Sequence, residues 1–378
     1  MKLLIQPGEG TTSLIKGINN ARKSVEIVIF RFDRREVEGS LKNAVERGVF
    51  VHALVAHTNR GGEKKLRKLE MRLLAAGASV ARTDDDLVRY HDKLLIVDRR
   101  VLYVLGFNLT YLDIQRSRSF GIVTKDRRLV QEAVRLFEAD AQRQEYKPEC
   151  DRFVVSPSNA RKQLERFIKG AKKSLLIYDL NVTDAAMIRL LRDRAKAGVE
   201  IRVIGRVVRK GAKFELRRLA SLRLHTRTMI RDGTAAFIGS QSLRAIELDI
   251  RREVGVIFRD ARVVNSLTRI FEEDWKAGRR QDERPETPVN ELQVRDEQGA
   301  CARGKAPKSV AKAVVEKLSS VSNELEKTLQ RAVSENANVE IDSTVIEQAV
   351  EEAVRGAVKQ AVRDVMEQAE GEKAPGKE

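Results

Sequence analysis

The chain is poor in several residue types that larger functions depend on. Of its 378 residues only two are cysteine, Cys150 and Cys301, and neither lies in a Cys-x-x-Cys or histidine-paired spacing. A disulfide framework and a structural zinc site are therefore not expected, and a reducing compartment is the default. Aromatic residues make up 5%, too few for the extended stacking platform with which single-strand binders hold bases. No run of about 18 apolar residues occurs anywhere. The opening Met1-Lys2-Leu3-Leu4-Ile5 is broken by Gln6-Pro7-Gly8, too soon for the apolar core of a signal peptide. A soluble or membrane-peripheral protein of the cytoplasm is expected.

Apolar residues, at 42%, are enough to bury cores for more than one domain, and the formal charge is +17. From Asp282 onward acidic residues outnumber basic ones by six, so residues 1–281 carry +23. A field of that sign favours polyanionic partners, either nucleic acid or an anionic phospholipid surface.

Internal repetition organises the rest. Ile5-Gln6-Pro7 is answered by Val155-Ser156-Pro157, Ala21-Arg22-Lys23-Ser24-Val25 by Ala171-Lys172-Lys173-Ser174-Leu175, and Arg47-Gly48-Val49 by Ala197-Gly198-Val199, each 150 residues on. The offset then falls to 134, so the first copy holds 16 extra residues between Val55 and His91. That insertion contains a helical stretch, Glu63 to Ala76, and the acidic loop Asp84-Asp85-Asp86, read as solvated. Within each copy buried strands such as Val25–Phe30 and Val51–Val55 alternate with amphipathic helices, which implies an α/β class with a largely parallel sheet covered on both faces. The expected organisation is two related halves, 1–145 and 146–281, packed about a pseudo-two-fold. A charged, proline-bearing linker over 282–307 follows. A helical tail over 308–378 comes last, with an apolar stripe suited to a homo-oligomer or a protein partner.

Only four histidines are present, and two of them, His91 and His225, fall at matched positions of the repeat. Lys93 and Arg227 lie two residues on, Asp98 and Asp232 seven on, and the small-residue turns hold Gly106 and Asn108, and Ser240 and Ser242. Histidine titrates nearest neutrality, so a pair can divide attack and proton transfer. Lysine and arginine neutralise oxyanions, and small polar residues supply donors to non-bridging oxygens. This residue set points to a phosphodiester. Asp98 and Asp232, each after a strand and before a turn, are suited to binding backbone amides and to a structural role.

The pattern resembles the phospholipase D superfamily, whose signature H-x-K-x4-D-x6-G-S-x-N occurs twice. The resemblance runs to about residue 276 and takes in the closing helices Phe137-Glu138-Ala139-Asp140 and Phe271-Glu272-Glu273-Asp274-Trp275. It implies two phospholipase D-like α/β/α halves and two-step transfer through a phosphohistidine at their seam, with neither metal nor cofactor. It also makes His91 the nucleophile and His225 the acid/base, with Lys93, Arg227, Asn108, Ser240 and Ser242 holding the phosphate. The chain departs from the signature at Arg227, at Leu105-Gly106 and at Ser242. The carboxylate that orients a histidine is present as Glu253 in the second half, whereas the first half has Ser119 there. Taken within each half, this puts Glu253 behind His225 and leaves His91 bare, which reverses the family assignment of the nucleophile. Three readings follow: a phosphatidyltransferase or phospholipase similar to bacterial cardiolipin synthases, a metal-independent nuclease, and a non-catalytic phosphate-binding module.

Overall fold

Apolar runs bounded by glycine or charged turns become the buried strands of two sheets, in a computed structural model that describes residues 1–57, 63–208 and 214–280. The expected linker (282–307) and helical tail (308–378) lie outside the described residues.

The first half begins with strands β1 (Lys2–Gln6), β2 (Ser24–Ile29), β3 (Phe50–Val55) and β4 (Ser79–Arg82). Between them run helices α1 (Thr12–Asn19), α2 (Arg35–Glu46) and α3 (Glu63–Ala75). A short strand β5 (Arg89–Tyr90) and the hairpin of β6 (Leu94–Val97) and β7 (Val101–Leu105) come next, then α4 (Tyr111–Gln115), β8 (Ser117–Thr124) and α5 (Arg127–Gln142). The second half repeats the order with β9 (Phe153–Ser156), α6 (Ala160–Lys169), β10 (Ser174–Val182), α7 (Ala185–Lys196), β11 (Glu200–Val207) and β12 (Glu215–Arg218). It continues through β13 (Arg223–Leu224), the hairpin β14 (Arg227–Arg231) and β15 (Ala235–Gly239), α8 (Ala245–Asp249), β16 (Arg251–Phe258), α9 (Ala261–Ala277) and β17 (Arg279–Arg280). The insertion in the first copy is seen as α3, which seats Leu66, Leu69 and Leu73 in that half's outer core.

The sheets run β1-β8-β7-β6-β2-β3-β4 and β17-β12-β11-β10-β14-β15-β16. The expectation of a largely parallel sheet is corrected here. Apart from the two-residue pairs β5–β16 and β13–β8, only the ladders β2–β3–β4 and β10–β11–β12 are parallel; the others are antiparallel. The reason is local. A parallel neighbour needs a helical crossover, and past β4 and β12 tight turns reverse the chain instead. Asp98 and Arg99 (φ 52° and 51°) and Asp232 and Gly233 (φ 53° and 62°) supply the left-handed backbone of those hairpin turns.

Each half has helices on both faces of its sheet. The outer face of the first sheet packs on α1, α2 and α3, and that of the second on α6 and α7. The inner faces share one core with α5 and α9, in which Phe120, Phe137, Tyr178, Phe258 and Phe271 lie together. α5 and α9 are capped alike: Asp126 accepts from the amides of Arg128 and Leu129, and Asp260 from that of Val263.

At the seam the halves exchange strands. β5 pairs with β16 of the other half, Arg89 opposite Arg251 and Tyr90 opposite Arg252. β13 pairs with β8 in the same register, Arg223 opposite Ser117 and Leu224 opposite Arg118. Ion pairs lock both crossings: Arg118 holds Asp274 of α9 in a two-pronged bond at 2.8 and 2.9 Å, and Arg252 holds Asp140 of α5 at 2.9 Å.

Asp98 fixes its hairpin to the start of β2, accepting the amides of Arg22 (3.0 Å), Lys23 (2.7 Å) and Ser24 (3.1 Å). Asp232 does the same for Lys172 (3.0 Å), Lys173 (2.7 Å) and Ser174 (3.0 Å). Burial alone would raise both carboxyls, but these amides outweigh it and hold them below the ordinary aspartate range. Their contribution to stability is thus complete above the unfolded pKa of about 4 and lost as pH falls through the lower folded value. Asp98→Ala and Asp232→Ala are each expected to lower stability by about 2 kcal/mol at pH 7, because three amides lose their acceptor. Urea denaturation measures this, and the gap from wild type should begin to close as the pH is taken below about 4. A gap that does not close would show that the carboxylate charge is not what the amides hold.

Candidate active site

Strand exchange builds the site. Because Arg89 and Tyr90 are hydrogen-bonded into the second half, the next residue, His91, lies against β16, and its N–H donates to Arg252 O at 2.8 Å. The following residue of that strand is Glu253, fully buried, whose Oε2 lies 2.9 Å from His91 Nδ1. Glu253 therefore backs His91 across the seam and not His225 of its own half, and the within-half assignment made from the sequence is corrected. The reversed choice of nucleophile that rested on it goes too. The mirrored crossing brings His225 against β8, its N–H donating to Arg118 O at 3.1 Å. The next residue there is Ser119, too short to reach, and His225 Nδ1 has no hydrogen-bond partner in its own plane of strands; Asp113 Oδ2 is its nearest carboxylate, at 3.5 Å.

The basic residues converge behind the two rings. Lys93 donates from Nζ to the carbonyl of His91, and Arg227 Nη1 donates to the carbonyl of His225 at 3.3 Å. Arg227 Nε also donates to Ser242 Oγ at 3.2 Å, and its second amino group lies 3.9 Å from Glu247. Phe30 stands edge-on to His91, ring centres 4.6 Å apart, with Lys93 Nζ 5.4 Å from its centre. His91, Lys93, Asn108, His225, Arg227, Ser240, Ser242 and Glu253 are all buried.

Burial sets the protonation. It lowers both histidines well below their usual value, helped at His91 by the charges of Lys93 and Arg227, and opposed at His225 by Asp113. Burial also lowers Lys93 to about 7 and raises Glu253 to about 7, each tempered by the other's charge. His91 is thus a neutral imidazole. With Glu253 ionised, His91 Nδ1–H donates to it and Nε2 carries the free lone pair. Such an atom can attack phosphorus, and the adjacent cations can hold the oxygens around it.

The sequence-expected set divides in the structure. Asn108 Nδ2 donates to Asp113 Oδ2 at 2.7 Å and leaves its Oδ1 unpartnered. Ser240, expected on the phosphate, is turned to the protein: its Oγ accepts from Val254 N–H at 3.1 Å and bonds the Glu253 carboxyl, so it braces that group. Gly106, its counterpart, has no room for a serine, since a Cβ there would stand 2.7 Å from Phe120 O. Asp98 and Asp232 lie at the hairpin turns, apart from this set. His52 packs edge-on against Phe137, 5.0 Å between ring centres, in α5's helix contact and outside the site. Two carboxylates escaped sequence reading, Asp113 and Glu247. Both accept the backbone N–H of the residue that ends the small-residue turn, Asn108 at 2.9 Å and Ser242 at 2.7 Å. They occupy one repeat position, 22 residues past each histidine, and that match was the available signal.

Residues 14–141 and 164–275 match the family described as cardiolipin synthase, PLD-like domain, and the chain belongs to this phospholipase D-like family. Over 144 residues it is 29% identical to the mitochondrial cardiolipin hydrolase of Canis lupus familiaris, covering 37% of this chain and 54% of that protein, about half its length. The fold is similar to that of polyphosphate kinase from Porphyromonas gingivalis (TM-score 0.62, 17% identity, covering 73% of this chain and 47% of that one). It is also similar to phosphatidylserine synthase from Haemophilus influenzae Rd KW20 (TM-score 0.54, 11% identity, 73% and 85%). Among the described residues no helix is long and apolar enough to cross a membrane.

The raised pKa of Glu253 has a thermodynamic signature. A folded value of about 7 against an ordinary 4.5 means the folded state holds a proton that the unfolded chain has released, so stability falls as pH rises through that window. Glu253→Gln is expected to lose less stability than wild type between pH 5 and pH 7, by about 2 kcal/mol. Guanidinium denaturation at the two pH values measures the difference, and equal slopes in the two proteins would contradict the assignment.

Proposed function

We propose that the protein cleaves phosphodiesters through a covalent phosphohistidine, with phospholipid as substrate and water or an alcohol as acceptor. The observation that carries this reading is His91, neutral and oriented through Nδ1 by Glu253 from the opposite half, beside Lys93 and Arg227.

His91 Nε2 attacks phosphorus and the bond to the leaving oxygen breaks, while His225, which takes up a proton on Nε2 when the substrate's negative charge binds beside it, gives that proton to the leaving oxygen. Glu253 stabilises the positive charge that grows on the His91 ring. His225, now neutral, takes a proton from water or an acceptor alcohol, whose oxygen attacks phosphorus and releases His91. Lys93 and Arg227 neutralise the non-bridging oxygens, and the substrate's negative charge restores a full positive charge to Lys93. Ser242, already bonded to Arg227, holds that guanidinium in place.

Support for a phospholipid comes from the family and from the cardiolipin hydrolase relative. Net +23 on residues 1–281 suits a peripheral protein at an anionic bilayer, where each basic residue near the surface adds about 1 kcal/mol. The same charge is what favours the nuclease reading.

Chemistry and substrate have separate tests. Hydrolysis of bis(p-nitrophenyl) phosphate is expected to continue in excess EDTA and to fall at least about 1000-fold in His91→Ala. In His225→Ala a phosphoenzyme should accumulate and be trapped by an alkaline denaturing quench, in which a phosphohistidine survives, since p-nitrophenolate leaves without a proton. A trapped phosphoenzyme in His91→Ala would assign the nucleophile to the other ring, and loss of all turnover in EDTA would reject the chemistry.

For the substrate, cardiolipin-containing vesicles are expected to pellet the protein and to yield a phosphatidyl or phosphatidic acid product. Degradation of single- or double-stranded DNA with no lipid turnover would favour the nuclease instead.

A further inference from the structure

Resting on the two-histidine reading above, the asymmetry between the rings asks what orients the second one. Behind His225 three buried polar atoms have no hydrogen-bond partner: His225 Nδ1, Ser119 Oγ and Asn108 Oδ1. The equivalent place behind His91 is filled by Glu253. Asp113, 2% exposed, is the carboxylate that borders this gap. Its Oδ2 is 3.5 Å from His225 Nδ1 and also accepts the N–H and the side-chain amide of Asn108 at 2.9 and 2.7 Å. Its other oxygen receives Arg223 Nη1 at 2.7 Å, and Arg223 lies in β13, the strand that delivers His225.

We propose that Asp113 is the positioning residue for His225, reaching it across the seam from the first half as Glu253 reaches His91 from the second. The counterpart of Asp113, Glu247, lies one methylene longer and is directed differently: it pairs with Arg244, Arg251 and Arg227. One repeat position thus serves the other half's histidine when it is Asp113 and its own half's arginine when it is Glu247. The charges that bear most on His225 are those of Asp113, Arg227, Arg223 and Lys93, of which Asp113 supplies the negative one. Burial raises Asp113, but His225 when protonated, Arg223 and the Asn108 amide outweigh it and hold the carboxyl at about 2. A contact of 3.5 Å is long for a hydrogen bond, and catalytic contacts of this kind shorten when substrate closes the site.

The consequence is a fixed tautomer. A carboxylate facing Nδ1 keeps the ring proton there and turns Nε2 toward substrate. With four histidines in the chain, nitrogen-detected NMR of the full-length protein can assign each ring. At a pH where His225 is neutral, wild type is expected to show the Nδ1–H form. Asp113→Asn should move His225 to mainly the Nε2–H form with His91 unchanged, and Asp113→Glu should restore the wild-type pattern in part. A purely structural Asp113 would leave the tautomer where it is. His225 found as Nε2–H in wild type overturns the proposal with no variant required, which covers the case in which Asp113→Asn does not fold. An unchanged tautomer in a folded Asp113→Asn overturns it as well.

Hydrolysis of bis(p-nitrophenyl) phosphate is measured on the same samples, where Asp113→Asn should lose about 10–100-fold in turnover. A wild-type protein that hydrolyses nothing sinks the phosphodiesterase reading, while the tautomer result still decides the role of Asp113.

Discussion

The structure depends on one interaction, the parallel pairing of each pre-histidine strand with the other half's sheet. Two residues, Arg89 and Tyr90, pair with Arg251 and Arg252, and two others, Arg223 and Leu224, with Ser117 and Arg118. Those four pairs set the position of both histidines to within a backbone hydrogen bond of the opposite strand. They also decide which side chain stands behind which ring. The buried pairs Arg118 with Asp274 and Arg252 with Asp140 secure the same two strands to the central helices. Leaving any of these charges alone in the core would be strongly destabilising, so the seam has little freedom to slide.

The site itself is electrostatically unfavourable to the fold. Lys93 and Glu253 are both buried and both drawn toward neutral pKa values by desolvation. Each is tolerable mainly because the other is near. On the proposed function, a phosphodiester entering this space would bring the negative charge that the cations lack, and the interactions that weaken the empty protein would become binding energy.

Much of this was legible in the sequence, and for physical reasons. The duplication, the two histidines, the basic residue after each and the amide-binding aspartates are local, so spacing alone recovers them. The α/β class with covered sheets followed from strand and helix periodicity, and α3 from the length difference between the copies. What could not be read was anything decided across the seam. Glu253 was seen as important but credited to its own half, since nothing in a linear pattern says that a two-residue strand will leave its sheet. Ser240 was expected to face phosphate because a hydroxyl beside a motif offers a donor; its backbone environment at Val254 turned it inward. The sheet direction was misread because strand–helix alternation covers only the first part of each copy, and the hairpins that follow reverse the chain.

The crossing of Glu253 to His91 also removes the equivalence of the two copies. Two first halves brought together would place Ser119 behind both histidines and have no orienting glutamate. Two second halves would have the glutamate twice but no lysine, only Arg227 on each side. Neither symmetric assembly contains what the single chain contains, because the lysine lies in one copy and the glutamate in the other. The duplicated gene has become, in this respect, one indivisible unit: its parts are related in shape and no longer interchangeable in chemistry.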